Sequence, residues 1–388
     1  MIPMRICTPH CGIAPETTSG GETYEREILL RLARLGAKLE IILARHLVRG
    51  QRYPQGVPNW TIHEFPIARG LRWYVAPFVV PQAIKQVWDR ARFDLLRVHS
   101  LRYIGPAVLL ARRRYRLNIP VVAHHHHLDP SPWNRVIEKR VVEAADRVVV
   151  GSEFAKRQLR DELGARTDHV SVVYYGVDEA FAPARPRADL LGRYGLAGRP
   201  VVLYFGGLKG RKNLFVLLDI WTAVVGARPD ARLVVAGGGP LLAALRRHAA
   251  RRGILETVVF TGYVPAAEKV AHFNLADVFV FPSALEGFGL TVAEAMASGL
   301  AVVVSDRGSI PELVVDGAGG FVCDPADPRP FVERLVLLLG DRALREKFGA
   351  ANRERAERVF RWDRCAAETS RVYEGAVEAW RVRGGGRA

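Results

Sequence analysis

Val278-Phe-Val-Phe281-Pro-Ser-Ala-Leu-Glu286-Gly-Phe-Gly289-Leu-Thr291-Val-Ala-Glu294-Ala-Met-Ala-Ser-Gly299-Leu-Ala301-Val-Val-Val-Ser305 is the stretch on which the fold turns. Two short β-branched and aromatic runs, Val278–Phe281 and Ala301–Ser305, flank a segment with the character of a helix. That helix begins near Leu290–Thr291 and stops before Gly299, a residue suited to ending it. Strand, loop, helix, strand is the repeating unit of a parallel sheet. Working outward, the same alternation continues through Val201–Phe205, Arg232–Ala236, Val258–Thr261 and Gly320–Cys323. These runs are apolar on both faces, as expected of strands buried between helix layers. In the first half the candidate strands are Arg5–Thr8, Leu39–Leu43, Leu95–His99, Val121–His124 and Arg147–Gly151, with a strand-like Val170–Tyr175 after them. Amphipathic stretches such as Thr23–Leu35, with Ile28, Leu32 and Leu35 at helical spacing, lie between them. The expected fold class is therefore α/β, with two Rossmann-like domains.

Proline at 183, 186 and 200 marks residues 181–200 as a linker. Residues 1–180 form the expected N-terminal domain, completed by a C-terminal helix at about 366–383, and residues 201–365 the C-terminal domain. Gly384–Ala388 reads as a frayed tail. Open parallel sheets bind ligands beyond the carboxyl ends of their strands, so two of them are expected to face each other across a cleft that holds the chemistry.

Composition narrows the function. The 388 residues are 49% hydrophobic and 25% charged, the profile of a soluble globular protein. No run reaches the roughly 18 apolar residues that span a bilayer, and the N-terminus reads as a strand rather than a signal peptide. The four cysteines (Cys7, Cys11, Cys323, Cys365) form no paired framework, which fits a reducing cytoplasm. The net charge of +16 is spread over both halves. The cluster Arg112-Arg113-Arg114 with Arg116 has two readings: a footprint for an anionic membrane or a phosphorylated substrate, or the solvated face of a helix in an Arg-rich chain. Nucleic acid is not expected, because no recognised binding motif and no basic-aromatic block is present.

The chemistry is concentrated around the opening stretch. Glycines at 287 and 289 let a ligand approach the backbone, since a side chain there would block it. The free N–H groups at the helix start make an anion site suited to a diphosphate. The dipole contributes only about 0.3–1 kcal/mol, so it positions a phosphate and cationic side chains must do the rest. Each acidic residue also has a plain reading: Thr291-x-x-Glu294 fits a capping box, and Glu286 fits a solvated loop.

Taken together, the segment resembles the E-x7-E motif of retaining glycosyltransferases of family four, which have the GT-B fold. Phe205-Gly-Gly-Leu-Lys-Gly-Arg-Lys-Asn213, Val235-Ala-Gly-Gly-Gly-Pro240, Phe260-Thr-Gly-Tyr-Val264, Ser305-Asp-Arg-Gly-Ser-Ile-Pro-Glu312 and Gly20-Gly21-Glu22 extend the resemblance over nearly the whole chain. It implies a retaining, metal-independent hexosyltransferase that uses a nucleotide-diphosphate sugar as donor substrate and needs no cofactor. Glu294 should then hold the ribose, and Glu286 the hydroxyls of the transferred sugar. The backbone N–H groups of Gly289, Leu290 and Thr291 should meet the distal phosphate, and the Val264 main chain the base. Lys212 matches the family's diphosphate-binding lysine, while Gly20 and Gly21 should close over the phosphates from the opposite domain. One position departs from the pattern: Gly207 stands where the family commonly has an arginine. A charge about 4 Å from a phosphate oxygen is worth roughly 4 kcal/mol at an effective dielectric near 20, before desolvation. Arg211 or Lys209 is the candidate replacement, and Arg211 has an equally plain reading as a surface residue.

His124-His-His-His127 is a second feature. Strand alternation sends His124 and His126 to one side and His125 and His127 to the other, which argues against a shared metal ion. The resemblance places His126 where the family has a histidine facing the sugar; His99 and His127 are further candidates. The implied mechanism has the acceptor hydroxyl attacking on the face the nucleotide leaves, with a donor phosphate oxygen taking the proton. Expected partners are a GDP- or UDP-hexose, a hydroxyl acceptor that includes lipid-linked ones, and peripheral contact with an anionic membrane. Two rival functions are a nucleotide-sugar-binding protein without transferase activity and a sugar-nucleotide epimerase or dehydrogenase. The dehydrogenase predicts Gly-x-Gly-x-x-Gly after an early strand, and Gly237-Gly238-Gly239-Pro240 lacks that spacing.

Overall fold

The computed structural model describes residues 4–15, 20–66, 75–126, 128 and 131–383. The chain divides into two compact units, Met1–Tyr175 with Trp362–Ala388, and Gly176–Arg361.

The first unit is built on a seven-stranded sheet of β1 (Arg5–His10), β2 (Lys38–Ala44), β3 (Trp60–Phe65), β4 (Leu95–Val98), β5 (Val121–His125), β6 (Arg147–Val150) and β7 (Val170–Val172). The spatial order is β3-β2-β1-β4-β5-β6-β7, and every pairing is parallel. The second unit carries β8 (Val201–Phe205), β9 (Arg232–Ala236), β10 (Val258–Gly262), β11 (Val278–Phe281), β12 (Ala301–Ser305) and β13 (Gly320–Cys323). Its order is β10-β9-β8-β11-β12-β13, again all parallel. Both are doubly wound α/β sheets, as the alternation predicts. In each, the winding reverses at one place, between β1 and β4 and between β8 and β11. At such a point the two adjacent connections lead away in opposite directions, leaving a crevice beyond the carboxyl ends of the strands.

Burial explains which strands the sequence reveals. All residues of β8, β11 and β12 are buried, so nothing interrupts their apolar runs. β3 is an edge strand with Glu64 exposed and only Phe65 buried, and its polar sequence hides it among the turns. The helix Gly20–Arg34 presents Tyr24, Ile28, Leu29 and Leu32 to the core, the 3.6-residue spacing read from Thr23–Leu35.

The boundaries differ from those expected. Residues 181–200 lie inside the second unit rather than between units. Phe181 is buried and packs edge-on against Phe273 at 5.4 Å, and Ala188–Tyr194 forms a helix. The prolines shape a surface segment anchored by apolar contacts. The C-terminal helix starts earlier than expected, at Trp362, and runs to Val382. It belongs to the first unit, where Trp362 and Tyr373 are buried and Asp363 pairs with Arg31 at 2.9 Å. The tail Gly384–Ala388 lies outside the described residues.

Candidate functional site: a cation-bound carboxylate at the reversal of the second sheet

β8 and β11 are neighbours at the reversal, so the loops after them meet. The β8 loop leads through Gly206-Gly207-Leu208-Lys209 into the short turn Gly210–Lys212. The β11 loop leads through Ser283 to Glu286 and the helix Leu290–Ala297. Glu286 is buried, and its Oε1 accepts from Lys212 Nζ at 2.5 Å, Arg211 Nη1 at 2.9 Å and Ser283 Oγ at 2.7 Å. It is no solvated loop residue. Its main chain is equally fixed: the carbonyl accepts from Ser309 N at 3.1 Å. Gly308 allows this approach, because at φ +68° a Cβ there would lie 2.4 Å from that oxygen.

Lys212 and Arg211 thus converge on one carboxylate oxygen. The Lys212 ammonium also sits 4.7 Å over the Phe281 ring, and burial lowers its pKa from the ordinary value against the opposing pull of Glu286. Arg211 is half exposed and also donates to the Leu285 carbonyl at 2.9 Å. Gly207 is open: a Cβ there would meet nothing closer than Lys209 Cε at 3.9 Å. The first carbon of a side chain at 207 therefore meets no obstacle.

The helix Leu290–Ala297 starts from Gly289 in the left-handed region (φ +92°), and no side chain caps it. This corrects the capping-box alternative for Thr291 and Glu294, because Gly289 occupies the cap position and offers no side chain. The first-turn N–H groups of Leu290 and Thr291 precede any intrahelical acceptor. Glu294 lies one turn further on, 3% exposed, with Oε1 accepting from Lys269 Nζ at 2.5 Å. Its Oε2 is buried and has no hydrogen-bond partner. Burial raises the Glu294 pKa, with Lys269 opposing. A buried acceptor without a donor costs about 1–3 kcal/mol, and a ligand hydroxyl would remove that cost. Val264 lies two residues past β10 and is buried. Lys269 and Ser283 were not anticipated: Lys269 sits 25 positions before its partner on an otherwise ordinary helix, and only the fold joins them.

The remaining candidates lie in the first unit. Gly20 and Gly21 open the helix Gly20–Arg34, and a Cβ at either would meet nothing within 4 Å. His126 follows β5 and is partly exposed, with both ring nitrogens engaged: Nδ1 with Tyr175 Oη at 2.6 Å and Nε2 with Glu25 Oε1 at 3.1 Å. His124 is fully buried between Tyr24 Oη at 3.0 Å and Tyr373 Oη at 2.7 Å. His99 accepts from Cys11 N at 3.1 Å and contacts the Pro9 carbonyl at 3.1 Å. His127 lies outside the described residues. Among the described residues no three His, Cys, Asp or Glu side chains gather as metal ligands.

Residues 18–181 match the family described as Glycosyltransferase Family 4, and residues 193–355 match Glycosyl transferases group 1. A GDP-mannose-dependent alpha-(1-6)-phosphatidylinositol monomannoside mannosyltransferase of Mycolicibacterium smegmatis is 34% identical over 309 residues, covering 76% of this chain and 78% of the relative. A D-inositol 3-phosphate glycosyltransferase of Streptomyces scabiei is 35% identical over 336 residues, covering 78% and 73% respectively. In fold the chain is similar to the sucrose-phosphate synthase of Thermosynechococcus elongatus, with a TM-score of 0.79, 21% identity, and 97% of this chain and 100% of that one covered. The chain belongs to glycosyltransferase family 4, and is a retaining, nucleotide-sugar-dependent hexosyltransferase with the GT-B fold.

Proposed function

We propose that the second unit binds a GDP- or UDP-hexose along the loops after β8 and β11, and that the hexose passes with retention to a hydroxyl of an inositol-containing or lipid-linked acceptor. The observation that carries this reading is the pair of carboxylates: Glu286 Oε1 held by two cations, and Glu294 Oε2 buried without a donor. In this reading the ribose hydroxyls donate to Glu294, whose second oxygen is already fixed by Lys269. The base lies against the Val264 main chain. The diphosphate competes with Glu286 for Lys212 and Arg211, and its distal phosphate meets the N–H groups of Gly289, Leu290 and Thr291. Glu286, so relieved, accepts from hydroxyls of the hexose. Gly20 and Gly21 approach the phosphates, and His126 faces the sugar.

As the glycosidic bond to the diphosphate breaks, negative charge grows on the leaving oxygens while positive charge spreads over the sugar ring. Lys212, Arg211 and the helix N–H groups are in place before that charge develops, which is where fixed dipoles and cations act most strongly. The acceptor hydroxyl adds on the face the diphosphate leaves and gives its proton to a phosphate oxygen. No carboxylate nucleophile is needed.

The donor assignment is supported by the relatives, one of which is a GDP-mannose-dependent alpha-(1-6)-phosphatidylinositol monomannoside mannosyltransferase. An acceptor of that kind would bring the protein to an anionic membrane in the cytoplasm. Phe78 and Trp133, 82% and 83% exposed on the first unit, support such contact. The basic cluster supports it less, since Arg112 is committed to Asp146 at 2.7 Å and to the Trp380 ring. Among the described residues no helix is long and apolar enough to cross a membrane. The test is incubation of GDP-mannose, UDP-glucose and ADP-glucose with myo-inositol phosphate and with phosphatidylinositol vesicles, with product anomers read by NMR. An α-linked product from an α-linked donor is expected; an inverted product, or donor binding without turnover on any acceptor, contradicts the reading.

A further inference from the structure

Beneath the reversal of the first sheet lies a buried ion pair that the transfer reaction, as described, does not use. Glu25, on the helix Gly20–Arg34, is 2% exposed, and Arg97, on β4, is 0% exposed. Glu25 Oε2 accepts from Arg97 Nη1 at 2.5 Å and contacts His10 Nε2 at 3.0 Å, while its Oε1 contacts His126 Nε2 at 3.1 Å. Arg97 Nε donates to Tyr373 Oη at 2.8 Å on the C-terminal helix.

The protons of this network can be assigned one by one. Gly12 N–H donates to His10 Nδ1 at 3.2 Å, so His10 gives its Nε2 proton to Glu25. Tyr373 accepts from Arg97, so its hydroxyl proton goes to His124 Nε2 at 2.7 Å, and His124 then donates from Nδ1 to Tyr24. Glu25 as a carboxylate can only accept, which makes His126 an Nε2–H donor and leaves its Nδ1 to accept from the Tyr175 hydroxyl at 2.6 Å. Arg97 and its hydrogen bonds hold the Glu25 carboxyl well below the usual range, although burial alone would raise it. Burial lowers the pKa of His10 and of His124, which keeps both rings neutral, and their partners fix one tautomer for each. His10 and His124 are 1% exposed, and His126 is the histidine through which the network reaches the surface.

We propose that Glu25, locked by Arg97, is a positioning residue that holds the His126 ring in a single tautomer and orientation at the carboxyl edge of the first sheet. A buried ion pair is a poor source of stability, because apolar residues of the same size usually serve as well or better. Its value here is directional: the carboxylate has one oxygen for the buried His10 and one for His126, and Arg97 cannot turn away without abandoning Tyr373. The inference rests on His126 being the sugar-facing residue of the proposed function.

The test uses the full-length protein labelled with 15N-histidine, with the His126 resonances assigned by their loss in His126→Gln. Wild type is expected to show only the Nε2–H tautomer at His126. The apolar replacement Glu25→Leu/Arg97→Met is expected to bind GDP and UDP as wild type does, to show both His126 tautomers, and to lose at least tenfold in kcat with donor KM within twofold. Should that variant fail to fold, Glu25→Gln keeps the shape and removes the charge. Among the described residues, Glu25 and Tyr175 hydrogen-bond His126 and Tyr24 packs edge-on against it, with Arg97 behind Glu25 and His10, His99 and His124 in the same cluster. Of these only Glu25 is anionic, so its loss should move the acid limb of the kcat profile to lower pH. A wild-type His126 that samples both tautomers, an unchanged kcat in the folded double variant, or an unmoved acid limb in Glu25→Gln overturns the proposal. Absence of transfer by wild type would instead defeat the proposed function, and the tautomer measurement would stand apart from it.

Discussion

At the scale of single residues, the site is defined by which cation serves which carboxylate. Lys212 is buried and has Glu286 as its hydrogen-bond partner, so it is the cation most completely committed to the site. Lys212→Ala is expected to lower kcat/KM by about 10²–10³, the range seen when one preorganised group for developing charge is removed. Arg211 is half exposed, which screens its charge. Arg211→Ala should cost about tenfold, and an unaffected variant would return Arg211 to the surface. Space at 207 permits a converse test: Gly207→Arg adds a cation where a Cβ meets no obstacle, and steady-state kinetics should show a lower donor KM. The acidic pair was singled out by its place around a strand, glycine loop and helix, and Lys212 by its match to the family motif; the fold brings Lys212 onto Glu286. Lys269, Glu25 and Arg97 were not legible, because each pairs with a residue brought near only by the sheet, 25 positions away for Lys269 and 72 for Glu25 with Arg97. Local sequence carries no trace of such pairings.

At the scale of elements, the start of the helix Leu290–Ala297 carries the most consequence. Gly289 sits at φ +92°, and a Cβ there would fall 2.6 Å from Ile310 Cδ1. Gly289→Ala is expected to cost about 1–3 kcal/mol of stability by denaturant titration, and to raise the donor KM by shifting the N–H groups of the first turn. Fully buried strands were read to the residue, as with β8, β11 and β12, because both faces are apolar. β3 was lost because an edge strand with Glu64 and His63 shows solvent one side and has no apolar alternation to betray it. The prolines of 181–200 were a misleading cue for a linker. Proline restricts the backbone in a packed segment as readily as in a joint, and here Phe181 decides the matter by burying itself.

At the scale of the whole molecule, the buried histidines make stability depend on pH. Burial lowers the pKa of His10, and lowers His99 and His124 further, from the ordinary value of 6.5. Between those lowered values and 6.5 the unfolded chain binds the protons and the folded chain does not, so stability falls as pH drops through that window. Glu138, raised to about 7 by burial, and Glu294, raised by burial as well, oppose this with one proton each. The thermal midpoint is therefore expected to be lower at pH 5.5 than at pH 7.5. Glu25, held low, keeps its own contribution above about 4.5 and loses it only at more acid pH.

The claim beneath all of this is that the loop and helix carrying Glu286 and Glu294 grip a nucleotide diphosphate. Calorimetric titration of GDP and of UDP into wild type and into Glu294→Ala tests it most directly. The account predicts binding of at least one nucleotide to wild type and affinity at least tenfold weaker in the variant. Equal affinity in both proteins would contradict it.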